Sequence, residues 1–426
     1  MGKTVDNRPV ALDLFSGCGG MSLGLEAAGF DIAASVEIDP VHSLVHHYNF
    51  PYGVTLCRDI SEISSQDLLK AIADKGFKTD IDLIAGGPPC QGFSHMGKRQ
   101  LDDPRNKLVF EYVRIVLEIQ PKYFIFENVP GIITGNHKHF LTELITIFEE
   151  NNYSLVKPVQ VLDASVYGAP QKRKRLILIG YRNDVPKPTY PVPTHSNNGE
   201  AVGDLQPLNT VSVAISDLCK IPVFIGCDRG INVSQLDYSE FRSSFDVQQQ
   251  EYYSLCHKRT HKDMVWGHLG SRHTDKTIQR FTQTIPGKVE QVSRFLKLAP
   301  DGLSNTLRAG TARNKGAYTA PRPIHYQMPR CISVREAARL HTFPDWFEFH
   351  RTIWHGFREI GNAVIPLLAK ALGNNIINCL DINLSALEIR KLEPRDDAIL
   401  KYNLGQASDY WQVSRDVIPQ RNRLKH

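Results

Sequence analysis

Four side chains in this sequence have the types and settings that bond-making chemistry needs: Cys90, Glu127, Arg173 and Arg175. Cys90 follows Gly86-Gly87-Pro88-Pro89 and precedes Gln91-Gly92-Phe93-Ser94. The chain therefore leaves a short apolar run, Ile81–Ala85, through an abrupt glycine-proline stop and delivers one thiol at the carboxyl edge of a strand. A lone cysteine is commonly a small core residue. Here the chain opens into a polar loop running to about Asn106, a poor place to bury an apolar thiol, and this marks Cys90 as a nucleophile. Glu127 ends the apolar run Tyr123–Phe126, where a carboxyl can donate a proton or hold a hydrogen bond at the same edge. Standing alone it could equally cap the following helix. Arg173 and Arg175 enter a third apolar run, Leu176–Ile179, and their alternation puts both on one face.

A second constellation suits a nucleotide-like cofactor. Asp13-Leu14-Phe15-Ser16-Gly17-Cys18-Gly19-Gly20 lies between an apolar strand and a helix, where glycines let the backbone approach a ligand. Glu37 closes the next strand, 20 residues after Gly17, in position to accept hydrogen bonds from a ribose diol, and Asp59 follows the strand after that. The missing Gly-x-Gly-x-x-Gly spacing speaks against NAD, and Phe-x-Gly-x-Gly looks like an S-adenosylmethionine pocket.

The elements that must carry these groups alternate. Strands are predicted at Val10–Phe15, Ile32–Glu37, Ile81–Ala85 and Tyr123–Glu127, with helices at Met21–Ala28, Pro40–Tyr48, Lys107–Ile119 and Phe140–Glu150. That is a doubly wound α/β pattern. Leu155–Leu162 and Leu176–Tyr181 complete the sheet as a hairpin-like edge. A proline-dense stretch, Val185–Pro193, then Asn197-Asn198-Gly199, marks a domain boundary. The chain from there to about His355 lacks helical periodicity, a helix returns at Ile365–Leu372, and the tail from about Leu380 reads as polar and uninformative.

Composition narrows the partners. The net charge of +5 is uneven: residues 1–180 carry −3, residues 181–255 carry −4, residues 256–330 carry +10 and residues 331–426 carry +2. Clustered Lys and Arg interleaved with His and aromatic residues suits a polyanion, and nucleic acid leads. The 8 cysteines form no Cys-x-x-Cys pair, and Cys256-His257 with His261, His268 and His273 lacks finger spacing, so neither a disulfide framework nor a metal site is expected. No apolar run reaches the roughly 18 residues of a membrane span, and Met1–Pro9 lacks a signal-peptide core. The expectation is a cytoplasmic protein with no membrane partner.

In order along the chain, Asp13–Gly20, Glu37, Asp59, Gly86–Ser94, Glu127-Asn128-Val129, Gln171-x-Arg173-x-Arg175, Arg335–Arg339 through Phe343-Pro344, and Gly361-Asn362-Ala363-Val364 together resemble the DNA cytosine-5 methyltransferases. The resemblance covers residues 10–181 and about 335–370. It implies a Rossmann-like S-adenosylmethionine-dependent methyltransferase domain, residues 1–185 and 356–426, with a second, smaller, irregular β-rich target-recognition domain, residues 186–355. It implies methylation of carbon 5 of a cytosine flipped out of double-stranded DNA. Cys90 would add to carbon 6, Glu127 would hold ring nitrogen 3, Arg175 would lie near the base and Glu127, and Arg173 nearer the target phosphate or carbonyl. Cofactor contacts carry over to Phe15, Gly17, Gly19, Glu37, Ile38, Asp59, Ile60, Pro89, Leu108, Asn362 and Val364, with Ala363 replacing a serine common in the family. DNA contacts carry over to Gln91, Ser94 and Arg99 of a mobile loop and to Thr306 and Leu307, a Thr-Leu pair near the flipped base. The resemblance further implies a nucleoid-associated monomer of a restriction-modification system, with a companion endonuclease but no obligatory complex. RNA methylation is the runner-up, a non-catalytic binding protein disagrees with the retention of all four reactive residues, and an oxidoreductase fails on glycine spacing.

Overall fold

The computed structural model describes residues 8–89, 107–133, 137–196, 202–236, 257–259, 264–310, 322–383, 390–392 and 395–417. Strands β1 (Val10–Leu14), β2 (Asp31–Glu37), β3 (Val54–Cys57), β4 (Leu83–Gly86) and β5 (Tyr123–Asn128) pair in parallel. Strand β8 (Lys174–Arg182) runs antiparallel beside β5, and both β6 (Tyr153–Leu155) and β7 (Gln160–Asp163) pair antiparallel with β8. The order β3-β2-β1-β4-β5-β8-β6 reverses between β1 and β4, and open α/β sheets bind ligands outside the carboxyl ends of the strands at such a switch point.

Alternation along the strands sorts the core onto two faces. Val10, Leu12, Leu14, Ile84, Phe124, Phe126, Leu176 and Leu178 pack on one side with helices α3 (Ser65–Asp74), α4 (Lys107–Ile119) and α5 (His137–Glu150). Ala11, Leu83, Ala85, Tyr123, Ile125, Ile177 and Ile179 pack on the other. That second face is covered partly by α1 (Gly20–Ala28) and partly by chain from the far end of the sequence. A Cβ at Gly24 would overlap the Ala369 side chain and the Pro366 carbonyl, and a Cβ at Gly373 would stand 2.7 Å from Ala28. These absences of side chain let α10 (Pro366–Ile377) lie directly on α1.

The core elements fall within a few residues of expectation, and α4 matches at both ends. Leu155–Leu162 is two strands, not one, because Pro158 has no N–H to give to a ladder. Helix α3 was not expected, nor were α6 (Val211–Ile215), α7 (Asp275–Gln283), α8 (Val334–Leu340) and α9 (Ile353–Asn362) in the stretch read as lacking helical periodicity. A side-chain cap opens each of those helices, supplied by Ser64, Thr210, Thr274, Ser333 and Thr352. The proline-rich stretch is no free linker, since Tyr123 Oη donates to the Pro186 carbonyl and Tyr167 Oη to that of Pro191, both at 3.0 Å. Beyond it the strands shrink to β9 (Ile231–Asn232), β10 (His257–Arg259) and β11 (Met264–Val265), supplemented by isolated bridges, which fits the expected smaller β-rich unit. Ile353–Ile377 has the length and mean hydropathy of a membrane span. It is two mostly buried helices, α9 and α10, broken at Ala363–Ile365.

Candidate active site

The loop after β1 winds through left-handed backbone at Phe15, Gly17 and Gly19, with φ of 62°, 55° and 105°. Glycine adopts this region freely, whereas Phe15 must be held there. The hold comes from below. Asp13 Oδ2 accepts from both Ser22 N (3.0 Å) and Ser22 Oγ (2.6 Å), and His46 joins Ser22 Oγ to Ser35 Oγ at 2.9 and 3.0 Å. Burial pushes the Asp13 carboxyl up to about 7 and the His46 imidazole down to about 3, so His46 is neutral around pH 7. Neither His46 nor Ser22 carries a motif signal.

Glu37 is fixed at both oxygens. Oε2 accepts Gly17 N–H at 2.9 Å and Oε1 accepts Asp39 N–H at 2.8 Å, which ties the end of β2 to the glycine loop. Burial raises its carboxyl above the ordinary range. A Cβ on Gly17 would meet nothing within 4 Å, and the buried Ser16 Oγ has no hydrogen-bond partner, so the loop offers open space and an unused polar atom. Asp59 caps the turn at Ile60–Glu62 by accepting Ser61 N and Oγ, and Glu37 lies in register with Cys57 two residues earlier. Ile38, Asp59, Leu108 and Val364 are half-buried, Ile60 is buried, and Pro89 and Asn362 are exposed. Val364 belongs to the break before α10, whose carbonyl sits so close to Gly20 that no Cβ fits there. The glycine loop, Glu37, Asp59 and Pro89 follow the carboxyl ends of β1, β2, β3 and β4, an arrangement that can take a nucleoside with a ribose diol.

Across the switch point the register aligns Leu14 with Gly86 and Gly86 with Phe126, so the turn after β4 stands beside Glu127. A Cβ on Gly87 would be 2.8 Å from Glu127 Oε2. Asn128 Nδ2 donates to the Pro88 carbonyl at 3.1 Å, pinning the approach to Cys90. Arg175 Nε meets Glu127 Oε1 at 2.7 Å, with both side chains largely buried. Such a pair can keep a carboxyl oriented toward an electron-poor ring while leaving Oε2 available. Cys90, Gln91, Ser94 and Arg99 lie outside the described residues.

Arg173, expected nearer the target phosphate or carbonyl, is occupied by the chain itself. It is 3% exposed, and its guanidinium donates to three backbone carbonyls, those of Leu307 (3.0 Å), Gly361 (3.0 Å) and Ala363 (2.9 Å). Gln171 works beside it, accepting Leu307 N–H at 3.1 Å and donating to the Leu340 carbonyl at 3.2 Å. His341 lies 3.1 Å from Gln171 Nε2 and 3.0 Å from the Ala363 carbonyl. The arginine pair is therefore split by the strand's entry: Arg175 faces the carboxylate and Arg173 joins three chain segments.

Thr306 and Leu307 are brought to this junction, where Thr306 Oγ1 donates to the Lys172 carbonyl at 2.6 Å. Leu307 packs in the core, only 3% exposed, so its side chain does not face DNA as expected; its N–H and carbonyl are spent on Gln171 and Arg173. The basic excess also divides. Lys297 donates to the Phe281 carbonyl, Arg330 is paired with Glu336 and Arg322 lies over the Phe357 ring, whereas Arg272, Lys276, Lys288, Arg294 and Arg308 are exposed. His268 and His273 are structural: His268 reaches Ser333 Oγ and the Ile221 carbonyl, and His273 Nε2 accepts Cys331 N–H.

A model of the C-5 cytosine-specific DNA methylase family matches residues 10–378. The chain is 44% identical over 423 residues to the type II methyltransferase M.XorII of Xanthomonas oryzae pv. oryzae, spanning 98% of this chain and 95% of that one. It is 33% identical over 369 residues to the type II methyltransferase M1.HphI of Haemophilus parahaemolyticus, spanning 86% of each. Among solved structures, a prophage-encoded E. coli protein described as a DNA modification methyltransferase superposes with a TM-score of 0.67 at 30% identity, covering 88% of this chain and 100% of the other. The S. pombe Dnmt2 methyltransferase shares the fold, with a TM-score of 0.53 at 17% identity over 88% of this chain and 100% of its own.

Proposed function

The chain belongs to the C-5 cytosine-specific DNA methylases, which transfer a methyl group from S-adenosylmethionine to carbon 5 of cytosine, and from that membership we propose how its own residues share the work. S-adenosylmethionine supplies the methyl group as an electrophile on its sulfonium. Phe15, Gly17, Gly19, Glu37, Ile38, Asp59, Ile60, Pro89, Leu108, Asn362 and Val364 hold it, with Glu37 on the ribose. The observation that carries this reading is the Glu37 carboxylate locked to Gly17 N–H beside open space, directly across the switch point from the Arg175–Glu127 pair.

Cys90 adds as thiolate to carbon 6 of a flipped cytosine, the carbon–sulfur bond forming as electrons shift toward carbon 5. Glu127, oriented by Arg175, stabilises the charge that builds at ring nitrogen 3. Carbon 5 then attacks the methyl carbon as its bond to the sulfonium breaks and a neutral thioether leaves; a base takes the carbon 5 proton, and the bond from carbon 6 to sulfur breaks to release the Cys90 thiolate. Gln91, Ser94 and Arg99 hold DNA, Thr306 adjoins the base, and Arg173 is a positioning residue. Residues 1–185 and 356–426 form the catalytic domain and residues 186–355 the recognition domain, welded together where α8 packs into the catalytic core. We read the protein as a monomer acting in the cytoplasm on nucleoid DNA, with a companion endonuclease and no obligatory complex, a reading that the likeness to type II methyltransferases supports.

Genome-wide 5-methylcytosine sequencing of a host expressing the chain tests the function. One short sequence should be methylated throughout, and the signal should vanish without Cys90. Methylation of RNA with unmodified DNA would overturn the reading. Glu37→Ala should weaken S-adenosylmethionine binding about 10- to 150-fold, since a hydrogen bond to a charged group contributes about 1.5–3 kcal/mol. Calorimetry on the folded variant reads this directly, and wild-type affinity would remove Glu37 from the site.

A further inference from the structure

The C-terminal segment lies beyond the family match, which ends at residue 378, yet it is built onto the cofactor edge. Helix α11 (Leu404–Trp411) opens on a capping box, Asn403 with Gln406, and buries Ala407 against Val41 and Leu44 of α2 (Pro40–Asn49). Trp411 stacks edge-on against His47 at 5.6 Å, and its indole Nε1–H donates to the Pro40 carbonyl at 3.1 Å, across 371 residues of chain. Pro40 is the residue after Asp39, which caps α2 through Oδ1 and gives its own N–H to Glu37 Oε1.

A second strap reaches the same aspartate. Arg351 takes the Leu400 carbonyl with its backbone N–H and Asp397 with its guanidinium at 3.1 Å, and His350 Nε2 meets the Tyr402 carbonyl at 3.0 Å. His350 N–H in turn donates to Glu359 at 3.1 Å, and the neighbouring Arg358 pairs with Asp39 Oδ2 at 3.3 Å. Both straps converge on the turn that aims Glu37.

We propose that residues 395–417 are a cofactor-positioning clasp, in which Trp411 fixes the Asp39–Pro40 turn and thereby the orientation of the Glu37 carboxylate toward S-adenosylmethionine. This rests on the reading of Glu37 as the ribose ligand. No residue of the clasp is among those assigned above to the cofactor or the cytosine, so Trp411 acts through the Asp39–Pro40 turn. A donor lost from a half-buried, well-aligned bond changes affinity by a modest factor, about threefold to tenfold.

The experiment is a double-mutant cycle on the full chain with Trp411→Phe and Glu37→Ala, measuring calorimetric affinity for S-adenosylmethionine together with KM and kcat. Trp411→Phe keeps an aromatic ring in the cluster with His47 and removes the indole N–H. It should raise Kd and KM for the cofactor by about threefold to tenfold while leaving kcat and the KM for DNA near wild type. In the Glu37→Ala background the same change should have no further effect on cofactor Kd. Wild-type affinity in Trp411→Phe, with Glu37→Ala weakened, overturns the clasp and leaves Glu37 standing. Additive losses, or equal losses in cofactor and DNA affinity, overturn it as well. Wild-type affinity in Glu37→Ala removes the ribose reading and the clasp with it.

Discussion

A duplex carrying 5-fluorocytosine at the target base becomes covalently joined to Cys90 when S-adenosylmethionine is present. Fluorine cannot leave as a cation once the methyl group is on carbon 5, so the elimination that would free the thiol stalls. Cys90→Ser forms no adduct and loses methylation by about a thousandfold or more, because a hydroxyl is far less acidic than a thiol and adds poorly to carbon 6. The other described cysteines at the core are poor competitors. Burial drives Cys57 and Cys331 up to about 12 and holds Cys18 well above the ordinary thiol range. Denaturing electrophoresis and peptide mapping read the result. A shifted band from Cys90→Ser, or an adduct on Cys18, would end the assignment.

Arg173→Ala is expected to be the most damaging substitution at the site for the fold. Burial, with Arg175 beside it, has pushed this guanidinium down to about 9, which still leaves it charged at neutral pH as it donates to three carbonyls. Removal leaves those carbonyls buried without their donor, at a cost of about 3–5 kcal/mol, comparable to breaking a buried charge network. Scanning calorimetry should show Tm lower by several degrees and DNA methylation lost even in the folded fraction. Arg173→Lys rescues little, since a single ammonium cannot span carbonyls on two segments. Arg175→Lys makes the contrast: Tm near wild type with slowed methyl transfer, because that side chain aims Glu127 at the sheet edge. A stable, active Arg173→Ala protein would show that the three carbonyls find other donors.

The parts of this molecule that were legible from sequence are those whose signal is local. Apolar runs ending in glycine or an acid placed β1, β2, β4 and β5, and with them Glu37 and Glu127, to within two residues. What was not legible depends on distant chain. Arg173 and Arg175 share a strand face by alternation, but only the return of Leu307 and Ala363 to the strand's entry decides that one is buried in carbonyls and the other paired with Glu127. Leu307 reads by resemblance as half of a Thr-Leu pair near the flipped base, but the Gln171 clamp draws it into the core. The tail reads as polar because its contribution is a few bonds from one indole and a capped helix, which composition does not register.

The close seating of α10 on α1 also has a consequence for synthesis. The ribosome finishes all eight strands of the large sheet by Arg182, but the helix that covers Gly24 and Ala28 begins at Pro366, about 180 residues later. At roughly 5–20 residues per second, a nascent chain waits about 10–40 s with the α1 side of its sheet partly bare. The catalytic half is thus the first to be made and among the last to be closed. Any translational pause within the recognition segment lengthens the interval in which chaperones, not the protein's own C-terminal helices, must shield that surface.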